Sequence, residues 1–178
     1  MRLRCQGLWT YLGVSFALML PAGARAAAPR LKLWSPAFKN EGTIPQKYSC
    51  VGKDVAPPLA WSGVPAKADS LALVMDDPDA PSGTWTHWLV YDLPASLHGL
   101  PEGKKLPAAA EEGRNSFEVV GYGGPCPPVG SAHRYRIRLY ALSKGFLLPP
   151  GAGEKDLFAA MKGRILAAAE MRAFFGRP

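Results

Sequence analysis

Three short polar clusters carry the residue types that could do chemistry in this sequence. Asp77 belongs to the segment Asp76-Asp-Pro-Asp-Ala-Pro81, His87 follows it, and His133 stands two residues before Tyr135. An imidazole titrates near neutral pH, a neighbouring carboxylate favours its charged form, and a phenol can donate a hydrogen bond. Groups of these types could together bind an anion such as phosphate.

A loop rich in glycine and proline, residues 121–130, ends shortly before His133, with two residues between them. Glycine lets the backbone approach a ligand closely and offers its amides to an anion. Proline fixes the path of the chain and reduces the entropy that is lost when the loop is ordered. The loop could therefore form a preformed anion cradle beside the two histidines.

The same residue types leave two other kinds of site open. Cys126 near His87 or His133 has the composition of a thiol nucleophile and its base, with Asp77 to orient an imidazole. Both histidines and Asp77 could also ligate Zn²⁺. The sequence has no nucleophile motif with its own mechanical rationale, so we predict a binding protein with no catalytic residue, no metal and no other cofactor.

Short strands must position these side chains, because 18 prolines and 19 glycines interrupt the 178-residue chain. The predicted strands, rich in β-branched, aromatic or alternating apolar residues, are 31–35, 71–75, 87–93, 117–122 and 134–142. Their spacing favours a sandwich or barrel over a βαβ repeat. The two-residue period turns His133 and Tyr135 towards the core and leads from the second strand to Asp77, so the polar groups could converge at one end of a β core.

The C-terminal stretch has a different pattern. Apolar residues recur at helical spacing between residues 155 and 175, which predicts one terminal helix packed on the β body. Gly163 in its middle costs about 1 kcal/mol relative to alanine and leaves a break or bend open at that point.

The N-terminus has the three parts of a secretory signal peptide. Arg2 and Arg4 precede a largely apolar stretch of 13 residues, and Ala24 and Ala26 occupy the small-residue positions of a cleavage site. The apolar stretch is shorter than the ~20 residues that a membrane-spanning helix needs. We expect a signal peptide at 1–26, a periplasmic or secreted product, and no transmembrane span after cleavage; the alternative is an uncleaved N-terminal anchor.

Removal of residues 1–26 leaves 152 residues and removes three arginines, so the formal net charge falls from +7 to +4. No basic run with interleaved aromatic residues is present, and we expect no nucleic-acid partner. Two cysteines, Cys50 and Cys126, remain in a compartment that we expect to be oxidising. Their pairing in a disulfide is possible but is not required by the sequence.

Two longer motifs resemble the signature segments of the phosphatidylethanolamine-binding family. The first is Asp76-Asp-Pro-Asp-Ala-Pro81 with His87-Trp88, and the second is residues 122–130 with His133-Arg-Tyr135. Segments 35–38, 44–45, 57–61 and 113–115 are similar to the bacterial Raf-kinase-inhibitor-like (YbhB/YbcL) branch of that family. The resemblance covers nearly all of residues 31–175.

The resemblance implies a mainly β fold of two antiparallel sheets with Greek-key connections and peripheral helices, here a single domain at 27–178 with the C-terminal helix. It also implies a cis peptide bond between Ala80 and Pro81. In relatives an anionic group is bound among an aspartate, two histidines, a tyrosine and the glycine- and proline-rich loop. The matching ligand-binding positions are Asp77, His87, Gly124, Pro125, Cys126, Pro127, His133 and Tyr135.

The function that the resemblance implies is binding of a small anion, which is phosphate, a phosphomonoester or a phospholipid head group. The predicted signal peptide places this binding in the periplasm or outside the cell. The alternative is an inhibitor or interaction protein that recognises a phosphorylated or carboxylate-bearing protein partner. A hydrolase that uses Cys126 and a histidine is the third hypothesis.

Overall fold

The computed structural model describes residues 30–103 and 105–177. The predicted signal peptide at 1–26, its cleavage site and the first residues of the predicted domain lie outside the described residues. No helix in the described part of the chain is long and apolar enough to cross a membrane.

Two β-sheets form the body of the protein, as the sequence predicts. The smaller sheet has three antiparallel strands in the order β1-β3-β6, which are β1 (Lys32–Trp34), β3 (Leu59–Ser62) and β6 (Gly99–Leu100). The larger sheet has six strands in the order β2-β9-β8-β4-β5-β7. These are β2 (Gly42–Thr43), β4 (Ser70–Asp77), β5 (Trp85–Pro94), β7 (Glu111–Glu112), β8 (Ala132–Leu142) and β9 (Ile165–Gly176). Among the paired strands of the described residues, the short β2–β9 pair is parallel and the other pairs are antiparallel.

The central strand β4 is buried on both faces, because each face of the large sheet is covered. One face meets the small sheet through residues such as Leu71 and Leu73. The other face meets the α-helix α1 (Glu154–Met161), whose Leu157 and Met161 pack against it. A strand enclosed in this way is expected to be a continuous apolar run, and the segment Ser70–Asp77 has that pattern until its two aspartates.

Charged side chains also lie on the large sheet. The side chain of Asp76 is fully buried and accepts hydrogen bonds from Arg136, with Nε at 2.7 Å and Nη2 at 3.1 Å, and from Arg138. Antiparallel pairing of β4 with β8 brings these residues together, because Asp76 lies opposite Arg136 and Val74 lies opposite Arg138. The buried carboxylate is therefore compensated by two cations.

The predicted helix over residues 155–175 is wrong in its second half. The observed helix α1 ends at Met161, and Gly163 adopts a left-handed backbone conformation (φ +74°). Residues from Ile165 onward form β9. β9 pairs with β8 over almost the whole length of both strands, and this long-range pairing outweighs the helix propensity of the alanine-rich stretch. Within β9, Met171, Ala173 and Phe175 are buried while the residues between them are exposed, which is the two-residue period of a strand.

Two other expectations are also wrong. Residues 117–122 form a turn and irregular backbone with one isolated bridge from Val120 to Arg114 instead of a strand, because the Asn115 side-chain oxygen accepts hydrogen bonds from the amides of Phe117 and Val119. The Ala80–Pro81 peptide bond is trans, as no cis bond occurs among the described residues. Trans is the favoured isomer of a peptide bond before proline. The turn that follows Ala80 has a 3.0 Å hydrogen bond from the Gly83 amide to the Ala80 carbonyl oxygen.

Candidate functional site

Three strands of the large sheet deliver the predicted polar residues to one end of the molecule. Asp77 is the last residue of β4, His87 is the third of β5 and His133 is the second of β8. They line a cavity of about 410 Å³. Its lining residues are Asp77, Ala80, Pro81, Ser82, Trp85, His87, Phe117, Cys126, Pro127, Pro128, His133 and Arg177.

His133 and Asp77 form a buried pair at this cavity. The His133 Nδ1 atom lies 2.7 Å from Asp77 Oδ2, and both side chains are buried. The other oxygen of Asp77 accepts the amide of Asp79 at 2.8 Å, which fixes the carboxylate plane. With Nδ1 engaged by the carboxylate, Nε2 is the polar atom of the ring that is left for a ligand.

His87 is held in the same manner by the backbone. Its Nδ1 lies 2.7 Å from the Gly123 carbonyl oxygen, and since a carbonyl only accepts, Nδ1 carries a proton. Burial lowers the pKa of His87, an effect that the hydrogen bond to Gly123 partly opposes. The unliganded ring is therefore neutral at pH 7 and its Nε2 is an acceptor, which becomes a donor only when the ring gains a proton.

Aromatic side chains fix the orientation of the His87 ring. Phe117 and Tyr135 both pack against it edge to face, with centroid distances of 5.4 Å and 5.2 Å. Tyr135 is fully buried and is not part of the cavity lining. Its hydroxyl has no hydrogen-bond partner among the described residues, and burial together with the charge of Asp77 raises the pKa of Tyr135, so the hydroxyl keeps its proton.

A disulfide anchors the glycine- and proline-rich loop. Cys50 and Cys126 are bonded, with an S–S distance of 2.05 Å and a Cα separation of 5.4 Å, so the pairing that the sequence left open is formed. The Pro125 carbonyl accepts the amide of Cys50, and the Gly124 amide donates to Asp54 Oδ1 at 2.7 Å.

These bonds turn part of the loop away from the cavity. Gly124 and Pro125 do not line it, whereas Cys126 and Pro127 do. The Gly124 amide, which we expected to be offered to an anion, is already used by Asp54. A Cβ atom at Gly124 would lie 2.4 Å from both Asp54 Oδ1 and the Tyr48 carbonyl oxygen, so glycine is needed there for close backbone packing.

The disulfide also removes the free thiol that the hydrolase hypothesis requires at Cys126. The nucleophile in such chemistry is a thiolate, and the sulfur of Cys126 has no thiol proton to lose while it is bonded to Cys50. In the part of the chain that the structure describes, no group of three or more histidine, cysteine, aspartate or glutamate side chains could hold a metal ion.

Three large side chains that line the cavity were not predicted from the sequence, namely Trp85, Phe117 and Arg177. Trp85 lies two residues before His87 in β5, so the two-residue period could have placed it on the same face. Phe117 was assigned to a strand that does not form. Arg177 follows β9 near the end of the sequence, and no local pattern indicates that it reaches the cavity.

Comparison with known proteins places this chain in a family. The family model described as phosphatidylethanolamine-binding protein matches residues 34–176. The UPF0098 protein of Aquifex aeolicus is 45% identical over 169 residues, which cover 92% of this chain and 96% of that protein. The chain therefore belongs to the phosphatidylethanolamine-binding protein family, whose members are generally non-catalytic binding proteins.

Two solved structures share the fold. A crystal structure from Chlamydia trachomatis, described as a homologue of phosphatidylethanolamine-binding protein, has a TM-score of 0.80 and 38% identity and covers 84% of this chain and 99% of its own. The crystal structure of YbcL from Escherichia coli, described as a new member of the mammalian family, has a TM-score of 0.78 and 30% identity with the same coverage. The similarity to YbcL agrees with the bacterial branch that the motifs indicate.

Proposed function

We propose that this protein is exported and binds a small anion in the cavity at the ends of β4, β5 and β8. The observation that carries the proposal is the convergence of His87 and His133, each held through Nδ1 so that Nε2 is left for a ligand. The anion is inorganic phosphate, a phosphomonoester or the phosphate of a phospholipid head group. A volume of about 410 Å³ lies at the lower end of the range for small-molecule sites.

The chemistry of the two rings makes binding depend on protons. With both Nδ1 atoms protonated, a neutral ring offers a lone pair at Nε2, which repels an anionic oxygen. A ring that gains a proton offers a charged N–H donor instead, and charge-assisted hydrogen bonds are the strong ones. Binding of a fully deprotonated anion is therefore coupled to proton uptake by the site.

Export by cleavage after Ala26, giving a single domain at 27–178 in the periplasm or outside the cell, is part of the proposal. The Cys50–Cys126 disulfide supports it, since disulfides form and persist mainly in oxidising compartments. N-terminal sequencing of secreted material should find Ala27 first. An intact Met1 would overturn both the cleavage and the location.

Calorimetry tests the binding function. Inorganic phosphate and phosphorylethanolamine are titrated into the wild-type protein and into His87→Ala/His133→Ala between pH 5 and 8. We expect binding to the wild type that strengthens as the pH falls, and a loss of at least about tenfold in the double variant, because charge-assisted hydrogen bonds contribute roughly 1.5–3 kcal/mol each. Equal affinity in both proteins would mean that the anion binds elsewhere.

A second candidate function is recognition of a phosphorylated or carboxylate-bearing protein. It is favoured by three exposed apolar side chains on the loop beside the cavity, Phe117, Val119 and Val120, whose exposed fractions are 41%, 50% and 52%. A photo-crosslinker at position 119, compared with one at the exposed Leu147, tests it in the native compartment. A discrete adduct formed only from position 119 and lost in the double histidine variant supports this function; an adduct that survives in that variant contradicts it.

A further inference from the structure

Arg177 is the one arginine or lysine among the described residues that line the cavity. It follows β9, forms a bridge with Val129, and donates from Nε to the Pro127 carbonyl oxygen at 2.5 Å. This hydrogen bond fixes the side chain against the loop that Cys126 anchors. The guanidinium is half-buried at the wall of the cavity rather than extended into solvent.

The bonding of Arg177 differs from that of the arginines in β8. Arg134 pairs with Asp79, and Arg136 and Arg138 pair with Asp76. Among the residues that the structure describes, Arg177 has no carboxylate partner. A guanidinium has five N–H donors, and the Nε donor is the one that is used, so its two terminal nitrogens keep their protons for a ligand.

We propose that Arg177 is a ligand-binding residue of this cavity, which takes two oxygens of a phosphoryl or carboxyl group through its terminal nitrogens. The inference rests on the proposed function and adds a residue that neither the motifs nor the strand pattern indicates. The planar fork of a guanidinium matches a pair of oxygens on one atom, whereas the ammonium of lysine acts as a point charge.

Arg177 and the histidines should therefore contribute to anion binding at different pH values. The charged and titratable groups next to His87 are Asp77 from β4, His133 and Tyr135 from β8, and Arg177 after β9. Asp76 also acts on His87 electrostatically, but its carboxylate bonds to Arg136 and Arg138. As the pH rises, protonation of His87 becomes less favourable, because burial already lowers the pKa of its ring. Arg177 is then the cation that still attracts the anion, so binding should persist at pH 8 and should depend on this residue most strongly there.

The experiment compares Arg177→Gln, Arg177→Lys and wild type by calorimetry at pH 5.5 and pH 8. The probes are inorganic phosphate, phosphorylethanolamine and a short-chain phosphatidylethanolamine, and the probe that the wild type binds most tightly identifies the source of the phosphoryl group. Arg172→Gln is the matched control, because Arg172 lies on β9, the strand that Arg177 follows, and is exposed and not part of the cavity. Urea unfolding midpoints of all variants verify that each protein is folded.

We expect Arg177→Gln to weaken binding of that probe by about 10- to 100-fold at pH 8, which is the effect of losing one charge-assisted contact. At pH 5.5 the loss should be smaller. Arg177→Lys should recover part of the loss, and Arg172→Gln should bind as the wild type does. A residue that only supported the fold would weaken binding equally at both pH values, and that result, or an unchanged affinity at pH 8, overturns the inference. If the wild type binds none of the probes at either pH, the proposed function itself fails.

Discussion

Replacement of His87 by asparagine removes one of the two imidazole contacts while it preserves the local structure. The asparagine Nδ2 atom takes the place of the histidine Nδ1 atom, so the hydrogen bond to the Gly123 carbonyl can be kept. The Nε2 atom is lost, and with it the proton that this ring gains when an anion binds. His87→Gln keeps a polar group near Nε2 but loses the donor to Gly123, and therefore separates the two roles.

The direction of the pH effect follows from the two states of the ring. Burial lowers the pKa of His87 below its ordinary value of about 6.5, so the unliganded ring is neutral at pH 7. A bound anion favours the imidazolium and raises the pKa in the complex. Between these two pKa values each pH unit costs about 1.4 kcal/mol, so affinity falls up to about tenfold per unit as the pH rises, and it levels off below the lower pKa.

Calorimetry with sulfate measures this effect, because sulfate takes up no proton between pH 5 and 8 and only the protein titrates. Repetition in two buffers with different ionisation enthalpies counts the protons that are bound with the anion. At pH 5.5 we expect His87→Asn to lose about 10- to 150-fold in affinity, which corresponds to one charge-assisted hydrogen bond of roughly 1.5–3 kcal/mol. Its proton uptake should be smaller than that of the wild type by up to one proton.

The control is His98→Asn. The chain has three histidines, and His98 is the exposed one, which lies outside the cavity. It should behave as the wild type does in affinity and in proton count. If His87→Asn takes up as many protons as the wild type at unchanged affinity, His87 does not carry the charge that binds the anion.

Three further outcomes are expected from urea unfolding. Cys50→Ser/Cys126→Ser should lose about 4 kcal/mol in the free energy of unfolding, because the disulfide closes a loop with a sequence separation of 76; no loss would contradict this. Asp76→Asn should lose about 3–5 kcal/mol by leaving two cations without their buried partner, against less than about 1 kcal/mol for Glu170→Gln, whose ion pair is exposed. Gly124→Ala should cost about 1–3 kcal/mol, since the added methyl group meets a backbone carbonyl oxygen; a stability equal to that of the wild type would show that the loop can move.

The types of the site residues and their grouping could be predicted from the sequence. The alternation in β8 turns His133 and Tyr135 to the same side, and β4 continues directly to Asp77, so strand periodicity alone brings these groups to one end of the core. The motifs around His87 and in the glycine- and proline-rich loop indicate the family, and with it the two-sheet fold. All of this information is local, because it depends on side-chain period and on short segments.

The tertiary structure decided what depends on contacts between distant segments. Residues 165–176 have the composition of a helix, and they form β9 because β8 offers a long edge with which to pair. The same pairing carries Arg177 to the cavity, although 44 positions separate it from His133. Atoms such as His87 Nδ1 and the Gly124 amide are bonded to partners far along the chain, and only those bonds determine which donors and acceptors remain for an anion. Hydrogen-bond partners depend on which atoms the folded chain brings close together, and the order of residues along the sequence does not specify those distances.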